Sequence, residues 1–343
     1  MNQYICYVAG KSGGHIIPAL THAQQEKRSN QHLKILFFST NSALDRSLLE
    51  HNKLIDLYQP LELGNVPRKN ILAWPWFIVQ LIIVFFKTIH CLVRYRPVKV
   101  VSMGGYISVP VCYIARLLRI PCEVYELNVV PGEAVKLLSK TAAVTHLCFA
   151  ETKKYLPKAV HCQVSAYPLR YTEHDKISRQ AACDALGIDA RKSIICVLGG
   201  SQGSRFINEL MQAYILQSSY RNDCVIIHQT GLADVASVQD FYHQQGVAAL
   251  VFAYRNDVHL CYAAADVIVA RAGAGTLFEI LFFQKHAIII PLETATTDHQ
   301  KDNALTMQAE HAQFFTVLLQ GDIAKNPAPF FERLGTFLPK KVV

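Results

Sequence analysis

His15 closes the run Gly10-Lys11-Ser12-Gly13-Gly14-His15. An imidazole is the side chain best suited to take a proton near neutral pH. Glycines let backbone N–H groups approach a ligand closely, and the start of a helix favours an anion. The run therefore reads in two ways. Ser12, Gly13 and Gly14 cradle a phosphate while His15 acts as a base, or the turn is an ordinary one and His15 a helix N-terminal residue. Glu126, at the end of an apolar run, is the second candidate base. A second turn, Gly199-Gly200-Ser201-Gln202-Gly203, follows another apolar run. Further on, Gly273, Ala274 and Gly275 leave room for a nucleotide, and Glu279 could accept both hydroxyls of a ribose. Thr276-x-x-Glu279 also fits a capping box, a purely structural arrangement. Gln300 and Asn303 are three apart and share a helix face. They read as amides aimed at sugar hydroxyls, or as solvated residues behind an N-cap at Thr297 or Asp298. Arg170 is a phosphate ligand or a linker charge.

These groups need elements that bring them to strand ends. Tyr4–Ala9 predicts a strand, and Ile16–Gln25 a helix with Pro18 in its first turn. Strands follow at Lys34–Ser39, Val98–Ser102, Pro121–Glu126 and Val144–Phe149. The second half repeats the layout, with strands at 193–198, 224–228, Ala248–Phe252, Val267–Ala270 and Ala287–Pro291. Helices are expected at Asp257–Ala264 and Leu277–Phe283. Alternation of this kind predicts α/β architecture, with parallel sheets covered by helices on both faces. Ligands on such sheets bind at the carboxyl ends of the strands. The 343 residues are too many for one ordinary core. Two domains are expected, 1–168 and 169–343, facing a cleft.

Only 17% of residues are charged against 51% hydrophobic, which argues against disorder. The net charge of +8 calls for an anionic partner. A nucleic-acid binder is disfavoured, because the basic residues do not interleave with aromatics along a groove. The ten cysteines show no CxxC or metal-ligand spacing and are expected to be buried, reduced thiols of a cytosolic protein. No metal and no cofactor is expected. Residues 71–94 form an apolar stretch interrupted by Gln80 and closed by Lys87, short of the ~20 residues a spanning helix needs. It predicts a helix buried between the sheet and its neighbours or one lying in a membrane interface, ahead of a third reading, a true transmembrane span. In the second case Lys87, Arg94, Arg96 and Lys99 would meet anionic headgroups.

In order along the chain, GGHIIPAL (13–20), SMGGYISVP (102–110), ELN (126–128), YPLR (167–170), GGSQGSRFIN (199–208), RAGAGTLFE (271–279) and DHQKDNA (298–304) resemble one family, the MurG glycosyltransferases of family 28. The resemblance covers roughly Tyr4 to Phe315. It implies a GT-B fold of two Rossmann-like domains. It also implies metal-independent, inverting transfer of N-acetylglucosamine from UDP-GlcNAc to an undecaprenyl-diphosphate-linked N-acetylmuramoyl-pentapeptide. That reaction belongs to the cytoplasmic face of the bacterial inner membrane, at an anionic membrane surface shared with other cell-wall synthesis proteins. By the same resemblance the C-terminal half holds the donor. Ser201, Gln202 and Arg170 meet phosphate, the Ala274-Gly275-Thr276 turn and Glu279 hold the nucleotide, Arg255 touches the uracil, and Gln300 and Asn303 read the sugar. Ser12, Gly13, Gly14 and Asn128 are counted with the donor set, while the Ser12–Gly14 loop also joins Gly104 and Gly105 at the acceptor diphosphate. Tyr106 lines the acceptor side. His15 is the expected base and Glu126 the alternative.

The chain departs from that pattern mainly on the acceptor side. Lys11-Ser12 replace the usual Gly-Thr, Tyr125-Glu126-Leu127-Asn128 replace His-Glu-Gln-Asn, and Val135 stands before Lys136 where Asn is usual. The last helix of the family is absent or shortened. The competing expectations are a family-28-like enzyme with a different lipid acceptor, a degenerate protein that binds UDP-sugar without transfer, and an epimerase on the same architecture.

Overall fold

The computed structural model describes residues 3–64, 66–67, 71–200, 202–218, 223–293 and 299–338. The chain divides into two compact units, Met1–Arg170 and Tyr171–Val343.

The first unit holds strands β1 (Gln3–Val8), β2 (Leu33–Thr40), β3 (Leu57–Leu61), β4 (Lys99–Ser102), β5 (Cys122–Glu126), β6 (Val144–Leu147) and β7 (Cys162–Val164). They form one parallel sheet in the order β3-β2-β1-β4-β5-β6-β7. Its helices are α1 (Gly13–Ser29), α2 (Ala43–Leu49), α3 (Trp74–Tyr95), α4 (Ser108–Leu117) and α5 (Glu133–Leu138). The order reverses between β1 and β4, so the loops after these two strands flank the switch point where such sheets bind ligands. Side chains alternate along β1: Cys6 and Val8 enter the core shared with α3, α4 and α5.

The second unit opens with α6 (Arg179–Leu186). It then alternates β8 (Ser193–Leu198), α7 (Arg205–Gln217), β9 (Cys224–Gln229), α8 (Val235–Gln244), β10 (Ala248–Phe252), α9 (Val258–Ala264), β11 (Val267–Ala270), α10 (Ala274–Phe282), β12 (His286–Ile289), α11 (His299–Glu310) and β13 (Phe315–Val317). The sheet order is β10-β9-β8-β11-β12-β13, all parallel. Two short helices close the chain, α12 (Gln320–Lys325) and α13 (Ala328–Gly335). Ile323, Phe330 and Leu334 from them complete this unit's core.

Several expectations are corrected. Helix α1 begins at Gly13, so Pro18 is its sixth residue and lies inside the helix. Without an N–H, Pro18 cannot bond the carbonyl four residues back, and the helix runs on regardless. Helix α10 begins at Ala274 with Gly273 as its N-cap. Thr276 is thus already inside the helix, and no Thr276–Glu279 capping box forms. All ten cysteines are free thiols; nine are buried and Cys162 is half-buried.

Helix α3 overturns two expectations. Its 22 residues are long and apolar enough to cross a membrane. It is also not enclosed. Val84, Thr88, Cys91 and Leu92 face the core, while Trp76 and Phe86 are 65% and 64% exposed, with Ile78, Ile82, Ile83 and Val93 beside them. The sheet face and α4 cover one side of this helix only. Gln80 is half-buried, its Oε1 accepting the Gly64 N–H at 3.0 Å.

Candidate active site

In the first unit the β1–α1 turn is fastened by a buried carboxylate that sequence reasoning did not single out. Asp45, on α2, is fully buried. It accepts the Lys11 N–H on both oxygens (3.0 and 3.1 Å), the Thr40 N–H (3.0 Å), the Thr40 hydroxyl (2.6 Å) and the Ser42 hydroxyl (2.7 Å). Four donors making five contacts on one carboxylate form a rigid clamp between two loops. It holds Lys11 at φ +70°, the left-handed region that bulky residues avoid.

Ser12 is the N-cap of α1 by backbone conformation, yet its side chain makes no capping bond. Its Oγ lies 3.4 Å from His15 Nδ1 instead. The His15 ring lies along the β4–α4 turn. A Cβ on Gly104 would stand 3.9 Å from His15 Nε2, and one on Gly105 3.7 Å from Nδ1. Both glycines have positive φ, +87° and +83°, which L side chains rarely adopt. Tyr106 follows them, its hydroxyl donating to the Leu63 carbonyl at 2.6 Å. The Lys11 ammonium sits 5.1 Å from the centre of its ring. Gly13, Gly14, His15, Gly104, Gly105 and Tyr106 are thus brought together at the carboxyl ends of β1 and β4.

Glu126 closes β5 and is buried. Its Oε1 accepts the Asn128 N–H (2.9 Å) and side-chain amide (3.3 Å), and its Oε2 accepts the Gly132 N–H (3.0 Å). Burial pushes the carboxyl up to about 7, against the opposing pull of these hydrogen bonds. The carboxylate and Asn128 are therefore partners in shaping their own loop.

In the second unit the β8–α7 turn is held by backbone contact. Gly199 lies against Ser204, and a Cβ on Gly203 would fall 1.9 Å from the Thr230 carbonyl oxygen. A Cβ on Gly231 would fall 2.3 Å from the Gln202 carbonyl oxygen. Only glycines let the turns after β8 and β9 touch main chain to main chain. Gln202 is exposed; Ser201 lies outside the described residues. Ser204 caps α7 by accepting the Ile207 N–H at 3.4 Å. Arg271, which the motif reading left without a role, donates to Ser204 Oγ (3.1 and 2.7 Å) and to the Ile290 and Pro291 carbonyls (3.1 and 3.3 Å). Burial lowers it to about 10.

Ala274, Gly275 and Thr276 form the first turn of α10, and Glu279 follows one turn later, buried. The buried Tyr262 hydroxyl donates to Glu279 Oε2 at 2.8 Å. Gln300 Oε1 accepts the Leu292 N–H at 3.0 Å. Asn303 is fully buried, its amide 3.5 Å from the Ala272 carbonyl. Arg255 makes a bidentate pair with Asp257 (2.8 and 2.6 Å) beside Phe252. Arg170 is the last residue of the first unit. Thr297 and Asp298 lie outside the described residues. Among the described residues no group of three or more His, Cys, Asp or Glu side chains is placed to hold a metal ion.

The model of the glycosyltransferase family 28 N-terminal domain matches residues 5–146, and that of the C-terminal domain residues 194–322. The chain belongs to glycosyltransferase family 28. Among family members, the UDP-N-acetylglucosamine–N-acetylmuramyl-(pentapeptide) pyrophosphoryl-undecaprenol N-acetylglucosamine transferase of Protochlamydia amoebophila is 32% identical over 94% of this chain and 83% of its own length. The enzyme of the same name from Myxococcus xanthus is 30% identical over 88% of this chain and 76% of its own. The crystal structure of Acinetobacter baumannii MurG superposes with a TM-score of 0.74 at 24% identity, covering 98% of this chain and 91% of that one. The fold is therefore that of the GT-B glycosyltransferases, two Rossmann-like domains with parallel sheets.

Proposed function

We propose that this family 28 enzyme transfers N-acetylglucosamine, with inversion and without a metal, from UDP-GlcNAc to undecaprenyl-diphosphate-linked N-acetylmuramoyl-pentapeptide. The names of its relatives support both substrates. The observation that carries the chemistry is the His15 ring lying along the Gly104–Gly105 turn at the ends of β1 and β4. In this reading His15 accepts the proton of the acceptor hydroxyl as that oxygen attacks the anomeric carbon. The bond from that carbon to the UDP oxygen breaks, and UDP leaves. The start of α7, the Gly199–Gly203 turn with Ser201 and Gln202, and Arg170 stabilise the departing diphosphate. The Ala274-Gly275-Thr276 turn and Glu279 take the nucleoside, with Arg255 at the base and Gln300 and Asn303 at the sugar. Glu126 and Asn128 hold the loop beside the acceptor rather than move the proton, since both Glu126 oxygens accept loop N–H groups. The exposed apolar face of α3, with Lys87 and Arg94, rests on an anionic bilayer at the cytoplasmic face of the inner membrane.

The test is incubation with radiolabelled UDP-GlcNAc and the lipid-linked acceptor, following label into the organic phase. His15→Ala is expected to lower kcat by about 10²–10⁴-fold while UDP affinity holds. Loss of turnover in Glu126→Ala with near-full turnover in His15→Ala would reverse the assignment of the base.

A further inference from the structure

Tyr262 is buried among rings, where a phenylalanine would pack as well, and its hydroxyl points to a use. The ring stacks on Phe283, with centroids 5.2 Å apart and planes 13° from parallel, and Tyr171 meets the two rings edge-on at 6.3 and 5.4 Å. Only 1% of Tyr262 is exposed. The end of α9 that carries it is held by the Lys285 ammonium, which donates to the Ala263 and Ala265 carbonyls at 2.9 and 3.0 Å. Packing therefore fixes the ring, and the ring fixes the place of its oxygen. A buried hydroxyl is costly unless it is paired. This one donates to Glu279 Oε2 at 2.8 Å. Glu279 is itself buried, and it stands one turn after Gly275 on the same face of α10. Helical side chains lean toward the N-terminus, so its carboxylate leans back toward the first turn, where Gly275 brings no side chain.

From this geometry we propose that Tyr262 is a positioning residue for the nucleoside: it fixes the Glu279 carboxylate in the orientation that accepts the ribose hydroxyls, and so selects a ribonucleotide donor over its 2′-deoxy counterpart. The proposal rests on the donor reading above, in which Glu279 takes the nucleoside. A carboxylate offers about four acceptor positions, enough for a tyrosine and a sugar diol together. Held by the phenol, it meets the diol already oriented; left to turn, it must be ordered at each binding event. A site built to bond a hydroxyl rejects the analogue that lacks it, and it does so only while its own acceptor is fixed. Tyr262 itself touches neither the substrate nor the reacting atoms.

The test is titration calorimetry of the full chain with UDP and with 2′-deoxy-UDP, without acceptor. The parent should bind UDP at least about tenfold more tightly than 2′-deoxy-UDP. Tyr262→Phe keeps the ring stack and removes the hydroxyl. It should bind UDP about fivefold more weakly than the parent and 2′-deoxy-UDP within about twofold, so that the preference shrinks to about threefold. In turnover it should raise the KM for UDP-GlcNAc about fivefold with kcat within about twofold. Added to Glu279→Ala, it should produce no further loss of UDP affinity, because the hydroxyl acts through that carboxylate. An unchanged preference overturns the proposal, whether both nucleotides bind as before or weaken equally. A lowered unfolding temperature beside an unchanged preference makes Tyr262 a structural partner of a buried carboxylate and nothing more. Those results refute only the role of Tyr262. A parent chain that binds the two nucleotides alike, or binds neither, is a different result: it refutes the placement of Glu279 at the ribose, and the role of Tyr262 falls with it.

Discussion

The turns after β1 and β8 occupy equivalent places in their sheets, each ending a strand beside a switch point and opening a long helix, but they are fixed by different means. The first is tied by a side chain, Asp45, reaching in from α2. Its own side chains, Lys11, Ser12 and His15, are thereby left to work outward. The second is tied by main chain, with Gly203 against Thr230 and Gly231 against Gln202, and by Arg271 gripping the cap residue Ser204. It presents mainly backbone. A turn built of backbone N–H groups suits a constant ligand such as a nucleoside diphosphate. A turn held by a remote carboxylate can change its tip residues without losing its shape. That freedom accounts for a lysine at φ +70°.

The contrast predicts unequal sensitivity to substitution. Gly203→Ala forces a Cβ into the Thr230 carbonyl at a positive φ. It should cost about 4 kcal/mol and abolish UDP binding while leaving the first unit folded. Calorimetric unfolding and UDP titration measure both. Asp45→Ala strands buried donors at Thr40 and Lys11, and should cost about 3 kcal/mol. It should remove acceptor turnover with UDP affinity unchanged. If Asp45→Ala weakened UDP and Gly203→Ala did not, the division of labour between the turns would be inverted.

Acid should separate the units as well. His228 on β9 is fully buried between the Tyr242 hydroxyl (2.9 Å) and Asn208 Oδ1 (3.1 Å), and burial pushes it down to about 3. A histidine lowered in the folded state contributes stability that is complete above its unfolded value near 6.5. That stability is lost as pH falls below it, by about 1.4 kcal/mol per unit. Asn208 also donates to the Thr230 carbonyl, so protonation loosens the support of the glycine contact. Glu126 has the opposite sign. Raised to about 7, it contributes stability below its unfolded value near 4.5, and this is lost as pH rises toward 7. Peptide-resolved hydrogen exchange, corrected for intrinsic rates, should show β9 and α7 less protected at pH 5 than at pH 7.5. The 126–132 loop should show the reverse.

The sequence made the alternation of strands and helices plain, and the strands at 193–198, 248–252 and 267–270 lie where their apolar runs placed them. Local signals sufficed because a buried parallel strand is a continuous apolar run. What was hidden was long-range. Asp45 looks like a first-turn acid of a short helix until β2 and the β1 turn fold around it. His228 sits inside an apolar run, and only the approach of Asn208 and Tyr242 shows why it is tolerated. Arg271 stood in a recognised motif, yet its partners are 19 to 67 residues away. The supposed capping box at Thr276 failed because the small residues before it are already helical. The enclosed reading of α3 failed because sequence gives the width of an apolar face but not how much of it is covered.

The finest test compares two serines that hold the same formal position. Ser12 and Ser204 are both N-caps by backbone conformation. Ser204 performs the structural task, accepting the Ile207 N–H and two N–H groups of Arg271. Ser204→Ala therefore removes a cap and leaves a buried guanidinium short of an acceptor, at a cost of about 1.5 kcal/mol. Ser12 makes no capping bond; its hydroxyl is 3.4 Å from His15 Nδ1. Ser12→Ala should change stability by less than about 0.5 kcal/mol. Its effect should fall on catalysis, because the hydroxyl helps set which way the imidazole faces. A fall in kcat of about threefold, with unchanged UDP affinity and a displaced acidic limb of the pH–kcat profile, is expected. Ser12→Thr keeps the hydroxyl and should restore the parent profile. Equal losses of stability in the two alanine variants would mean that the turns are held alike. A Ser12→Ala enzyme with an unaltered pH profile would mean that Ser12 does not orient His15.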